Sequence, residues 1–249
     1  MHIKTFFFTL FLIPLFYIGC KEGTSGGNST EQQASGKLLA TADLVGYWVN
    51  EAWWEKVKAT KSPKQAAVGL NGISGAILLE SEGQVIVNLS YNWHEGAQYA
   101  VRTREGKQEF YDPNNAATAL LPLIPLENGT VKFDGQTMVR LATGLEGAKT
   151  VAHAVLGGGY DLNGKQVVFN PNGTVVGLEG YNYYDIKFDY IDDMVDADQM
   201  TLSLDGSEPV VFAFKYEGDH LIISEIEDTG GSGKFDYKVG KVRWDLTKK

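Results

Sequence analysis

Along most of the chain, apolar and polar positions alternate one by one. Val85, Val87, Leu89 and Tyr91 fall on one side of a period-two pattern, with Asn88 and Ser90 on the other. Tyr184, Ile186, Phe188 and Tyr190 repeat it against Asp185, Lys187 and Asp189. Further runs carry Met200, Leu202 and Leu204, then Val210, Phe212, Phe214 and Tyr216. Successive side chains of an extended backbone point to opposite faces, so this pattern predicts half-buried strands of antiparallel sheet. Between the runs stand Glu82-Gly83, Glu95-Gly96, Glu105-Gly106, Asn128-Gly129, Asn172-Gly173 and Glu217-Gly218. A polar residue followed by glycine is the composition of tight hairpin turns. The expected fold is all-β, an antiparallel meander of roughly fourteen short strands.

Two segments break the alternation. After Asn50, a suitable N-cap, Glu51 to Val68 carries Trp54, Val57 and Lys58 at helical spacing, with a break at Lys61-Ser62-Pro63. Residues 147–156 form an Ala/Val-rich helix closed by Gly157-Gly158-Gly159. Residues 113–128 contain Pro113, Pro122 and Pro125 and read as a loop, one placed to lie over an opening. A long meander leaves two exposed sheet edges, and closure into a barrel removes them. A sandwich is the other solution. The Asn-Gly-Thr-Val word at 128–131 and again at 172–175 raises a second organisation, two halves split near residue 157, beside the single antiparallel domain over 38–249.

The start of the chain follows different rules. His2 and Lys4 precede an apolar run from Phe6 to Ile18, too short to span the membrane as a helix, which takes about 20 residues, and suited to the core of a signal peptide. The chain's one cysteine, Cys20, comes directly after. Lys21 to Lys37 has no apolar side chain larger than Ala34 and reads as a flexible tether. Tyr17-Ile18-Gly19-Cys20 resembles the lipobox of bacterial lipoproteins. That resemblance implies a signal peptide over 1–19, cleavage before Cys20, lipidation of Cys20 and a tether over 20–37. It implies a body held at the cell envelope through a lipid anchor in the membrane. Lys21 after the cysteine, by the same resemblance, implies the outer membrane.

Composition narrows the partners. With 43% hydrophobic and 21% charged residues the chain can bury a core, and one cysteine leaves no disulfide framework. A net charge of −9 argues against nucleic acid as a partner, since phosphate backbones are met by basic faces.

Gly46-Tyr47-Trp48 on the first strand resembles the Gly-x-Trp motif of lipocalins, and Arg243 on the last resembles the arginine that packs across that tryptophan. Asp189-Tyr190 echoes a lipocalin turn, and residues 169–174 and 212–226 look like small bacterial lipocalin-like domains. The resemblance implies a lipocalin-like barrel in which Gly46, Trp48 and Arg243 close the first strand on the last. Such a cavity is usually lined by aromatics with a few polar groups. Trp48, Trp93, Tyr184, Phe188, Phe212 and Phe214 are the candidate lining residues for an apolar or amphipathic small molecule. The alternative is that these aromatics fill the barrel.

No catalytic constellation accompanies them. His94, His153 and His220 are scattered, Gly72-Ile73-Ser74-Gly75 lacks the nucleophile-elbow spacing, and no His/Cys spacing suits zinc. The expectation is a protein that is not an enzyme and has no cofactor. Within Asp189–Gln199, Asp192, Asp193, Asp196 and Asp198 are candidate oxygen ligands for Ca²⁺, and a solvated acidic turn is the competing reading. Two functions follow: an envelope lipoprotein that binds a small molecule in a barrel cavity, or a structural lipoprotein whose filled barrel meets another envelope or host protein.

Overall fold

The computed structural model describes residues 38–115, 121–126, 128–190, 195–230 and 236–249. The lipobox, Cys20, the tether, Asp192 and Asp193 lie outside the described residues. A short helix, α1 (Thr41–Leu44), leads into β1 (Gly46–Asn50), and two more helices follow, α2 (Glu51–Thr60) and α3 (Pro63–Ala67). The chain then runs through β2 (Ile73–Ser81), β3 (Gln84–Tyr91), β4 (Glu95–Arg104), β5 (Lys107–Tyr111), β6 (Pro122–Pro125), β7 (Val131–Phe133) and β8 (Gln136–Ala142). All pairings are antiparallel and sequential. β1 pairs with both β2 and β8, which closes a barrel.

Helix α4 (Gly147–Leu156) then opens a second sheet. It contains β9 (Gly158–Leu162), β10 (Lys165–Phe169), β11 (Val175–Val176), β12 (Tyr183–Ile186), β13 (Asp198–Ser203), β14 (Val210–Glu217), β15 (His220–Asp228) and β16 (Tyr237–Lys248). Its order is β11-β10-β9-β16-β15-β14-β13-β12. The two outer strands meet through a bridge between Thr174 and Tyr183. Val175 N–H donates to Asn182 O and Tyr184 N–H to Gly173 O, both at 2.9 Å. The second sheet is therefore nearly closed. The chain is all-β and antiparallel, a closed eight-stranded barrel followed by a second, nearly closed eight-stranded sheet.

Each barrel begins in the same way. Leu44-Val45-Gly46-Tyr47-Trp48 is matched by Leu156-Gly157-Gly158-Gly159-Tyr160. A helix ends on the leucine, and the aromatic four residues on turns back to its carbonyl. Trp48 Nε1–H donates to Leu44 O at 2.8 Å and Tyr160 O–H to Leu156 O at 2.9 Å. Gly46 is obligatory here, since its φ is +146° and a Cβ would lie 2.3 Å from Ala142 O. The repeated Asn-Gly-Thr-Val words do not follow this equivalence. Each builds the same turn, with the Asn side chain accepting from the Thr N–H and hydroxyl, but one precedes β7 and the other β11.

The arginine expected at Arg243 is supplied by Arg140 on β8. Its guanidinium lies 5.7 Å from the Trp48 ring centroid and donates to Ala42 O, Asp43 O and Val45 O at 3.0–3.3 Å. Arg243 instead pairs with Glu225 and covers Trp244. The first strand closes on the eighth rather than on the last, so the residue sharing the barrel's end with Trp48 comes from β8.

Period two sorts the interiors as expected. Trp48, Leu78, Val87, Leu89, Phe110, Phe133 and Met138 fill the first barrel. Tyr160, Phe169, Tyr184, Met200, Phe212, Phe214, Leu221 and Leu246 fill the second. β1 is buried on both faces, because Tyr47 and Val49 point away from Trp48 into a layer formed by α2 and α4. Gly147 lets α4 approach so closely that a Cβ would overlap the Tyr47 ring. Asn50 caps α2, accepting from Trp53 N–H at 3.1 Å, and the helix ends in left-handed Lys61, as the break at Lys61-Ser62-Pro63 predicts.

Other expectations are corrected. β12 stops at Ile186, so Phe188 and Tyr190 do not continue its inward row. Residues 122–125 pair with β5 and β7 as a strand rather than lying free in a loop. Glu95-Gly96 lies inside β4, paired with Tyr91 and Ser90, because the chain has already reversed at Asn92-Trp93.

Candidate functional site

The end of α4 shows how tightly the two barrels are joined. A helix leaves its last four carbonyls without intrahelical partners. Here His153 O accepts from Gly157 N–H, Ala154 O from the Lys61 ammonium at 2.8 Å, Val155 O from Tyr216 O–H at 2.7 Å and Leu156 O from Tyr160 O–H. The Tyr160 and Tyr216 hydroxyls lie 3.0 Å apart. Burial pushes both phenols above their ordinary range and keeps them protonated as donors.

A second junction is aromatic. Trp93 packs 4.7 Å from Trp53 and 5.4 Å from Phe188, centroid to centroid. It is held there by unusual backbone. Asn92 and Trp93 have φ of +50° and +61°, and His94 N–H returns to Tyr91 O. Four other tight turns use the same left-handed pair, Glu82-Gly83, Glu105-Gly106, Asp134-Gly135 and Asn163-Gly164, each with glycine second. Only in the β3–β4 turn does a bulky side chain take that place among these five. Its backbone N–H donates to Ser74 Oγ at 2.8 Å, and its ring lies where a Cβ on Gly75 would be. Beside it, His94 Nδ1 lies 2.9 Å from Asp189 Oδ2.

Next to this junction runs an open groove with α3 as one wall. On one side is a cavity of about 540 Å³ against the outer face of β14, β15 and β16. Ala213, Ile222, Ser224 and Val239 form its floor, with Ala213 and Ser224 buried. On the other side a cavity of about 370 Å³ is lined by Leu70, Asn92, Phe188 and Tyr190. Lys64 and Val68 line both, and Val68 is 73% exposed.

The polar rim is organised around Lys64. Its ammonium lies 2.9 Å from Asp196 Oδ1 and 5.5 Å from the centroid of the Tyr190 ring. Its backbone N–H donates to Asp198 Oδ1 at 2.9 Å, and the Tyr190 hydroxyl lies 3.2 Å from that oxygen. Burial raises the Asp198 carboxyl above its ordinary range, against hydrogen bonds from Ser62, Lys64 and Tyr190 that hold it down.

The aromatic residues expected in one cavity are distributed over three places. Trp48 is in the first barrel against Phe133. Tyr184, Phe212 and Phe214 are in the second, where Tyr184 donates to Asn170 O at 2.8 Å and Phe212 packs on Tyr181 and Trp244. Trp93 and Phe188 meet at the junction, and Phe188 and Phe214 line the groove. Sequence reasoning missed Lys64, Gln65 and Val68. Val68, an apolar residue directly after a five-residue helix and followed by Gly69, is the one visible signal.

Of the acidic segment, Asp196 and Asp198 are engaged as described. Among the described residues no three His, Cys, Asp or Glu side chains converge as a metal would require. His153 lies 3.5 Å from the Tyr184 hydroxyl. His220 stands at the surface between Asp245 at 2.6 Å and Asp219 at 3.7 Å. Among the described residues no helix is long and apolar enough to cross a membrane. The chain matches no family model, no curated protein sequence and no solved structure.

Proposed function

We propose that the protein is a lipid-anchored, non-enzymatic binding protein of the bacterial cell envelope. Its ligand is an apolar or amphipathic small molecule, and its binding surface is the groove along α3 rather than a barrel lumen. The observation that carries this reading is the groove itself. It pairs an apolar floor and the exposed Val68 with a charged rim at Lys64 and Asp196, beside interiors occupied by large side chains. A site of several hundred Å³ with apolar walls and a few convergent polar groups is what small amphiphiles fit. The anchor rests on Tyr17-Ile18-Gly19-Cys20, the apolar run before it and the polar tether after it.

Photo-crosslinking with a neutral alkyl diazirine on the full chain tests the groove. Label is expected on peptides carrying Val68, Ala213, Ile222 and Val239. Label confined to barrel-interior residues, or saturating label nowhere, would refute it. Fatty-acid labelling of wild type and Cys20→Ala tests the anchor, and label retained by the variant would overturn it. The filled interiors favour a second reading, a structural or protein-interaction lipoprotein without a small-molecule ligand. A stoichiometric protein partner that blocks no crosslinking in the groove would support that reading.

A further inference from the structure

The rim of the groove already holds an ammonium ion, the chain's own. Lys64 Nζ lies over the face of Tyr190 at 5.5 Å and against Asp196 at 2.9 Å, with Asp198 fixed beneath through the Lys64 backbone N–H and the Tyr190 hydroxyl. An aromatic face with a carboxylate beside it is the arrangement that recognises alkylammonium groups. Lys64 stands on α3 and lines both cavities, so a head group that takes its place lies at the edge of the larger one.

We propose that the ligand of the groove is a cationic amphiphile, a single apolar chain bearing an ammonium head. Its head takes the contacts that Lys64 makes with Tyr190 and Asp196, and its chain lies over Ala213, Ile222 and Val239. This rests on the groove reading above and specifies its ligand. Charge complementarity favours a cation over an anion. The charges lining the larger cavity, Lys64 and Lys215 against Asp196 and Asp198, balance, and Glu217, paired with Lys215 at 2.5 Å, adds one negative charge beside it. The whole chain carries −9, so long-range steering also favours a cation. Lys64 then acts as a resident competitor. Its side chain is one-quarter exposed and can swing to solvent as the ligand's head arrives.

The test uses the full chain in nanodiscs and three diazirine probes of equal alkyl length, with a trimethylammonium, a sulfate or an uncharged glycosyl head. The ammonium probe is expected to half-saturate labelling of the Ala213 and Val239 peptides at about tenfold lower concentration than the sulfate probe. Lys64→Met is expected to lower that concentration further. Asp196→Asn, at a side chain that is almost fully exposed and safe for folding, is expected to raise it several-fold while leaving the glycosyl probe unchanged. Tighter labelling by the sulfate probe that disappears in Lys64→Met would overturn the proposal and make Lys64 an anion receptor. Groove labelling by the glycosyl probe in that case would leave the groove reading standing. Labelling of the groove by none of the three would overturn both.

Discussion

Trp93 is the residue whose replacement separates backbone from side chain most cleanly. Truncating a fully buried tryptophan costs ~3–5 kcal/mol, and each aromatic pair contributes ~0.5–1.5 kcal/mol beyond its buried area. Trp93 has two such partners, Trp53 and Phe188, but it is only half-buried. Its indole N–H is also buried and, among the described residues, unpartnered, a cost of ~1–3 kcal/mol that truncation relieves. Trp93→Ala is therefore expected to lose about 2–3 kcal/mol. Trp93→Gly removes the same ring, yet it should be about 1 kcal/mol more stable than the alanine variant. At φ +61° a residue with a Cβ carries a left-handed penalty that glycine does not. It also converts the tip to Asn-Gly, the preferred pair for a turn with two left-handed residues. Urea unfolding of both variants, compared at equal m-value, reads the difference. An alanine variant as stable as the glycine variant would refute the argument that position 93 stores backbone strain to hold its ring at the junction.

Four further substitutions follow from named contacts. Tyr216→Phe leaves Val155 O buried at the end of α4 without its donor and is expected to cost about 1–3 kcal/mol, with faster amide exchange in the last turn of the helix; a loss under about 0.5 kcal/mol would contradict this accounting. Arg140→Met strips three carbonyl contacts and the Trp48 ring and is expected to cost about 1–2 kcal/mol in urea unfolding. Arg243→Met, at an exposed ion pair, should stay within about 0.5 kcal/mol, and equal losses would show that closure does not depend on β8. His220 has its pKa raised above 6.5, first by the hydrogen bond it donates to Asp245 and then by the charge of that carboxylate. Its contribution is present in full below pH 6.5 and is lost as pH rises through the raised value. His220→Gln should therefore destabilise the protein at pH 5.5 and not at pH 9, and a pH-independent difference would contradict the linkage.

The strands and the two principal helices were legible because each carries a local signal. Val85, Val87 and Leu89 alternate, Asn50 offers a cap, and Gly157 stops α4. The doubling of the barrel was harder to see. The repeated words Asn-Gly-Thr-Val encode turn chemistry, which recurs wherever the chain needs that turn. The true equivalence, a leucine followed at the fourth position by a hydrogen-bonding aromatic, joins tryptophan to tyrosine and shares only the leucine and the glycine two positions on. Arg140 carries no local signal, because an arginine in a strand has no mark of the strand it will close against, whereas Arg243 stands on the last strand, where a single barrel would close. The groove was invisible for a related reason. Its wall, α3, comes from residues 63–67 and its floor from residues 213–239, and each floor residue simply occupies the outward position of an alternating strand. Only the tertiary pairing of a helix from one barrel with the outer face of the other turns them into a site.

The burial of β1 on both faces has a consequence for how the chain is made. Synthesis proceeds from the amino end, and the first barrel can complete its ladder once Ala142 has emerged. At that moment Tyr47, Val49, Trp53 and Val57 form an uncovered apolar flank, because the tyrosines that seal α4 are still to come, Tyr216 among the last. A nascent chain in this state would present a sticky surface for the time needed to make some seventy more residues, seconds at ordinary elongation rates of about 5–20 residues per second. A chain built this way gains from staying unfolded until its carboxyl half is available, and truncations that end between the two sheets should precipitate rather than yield a soluble half.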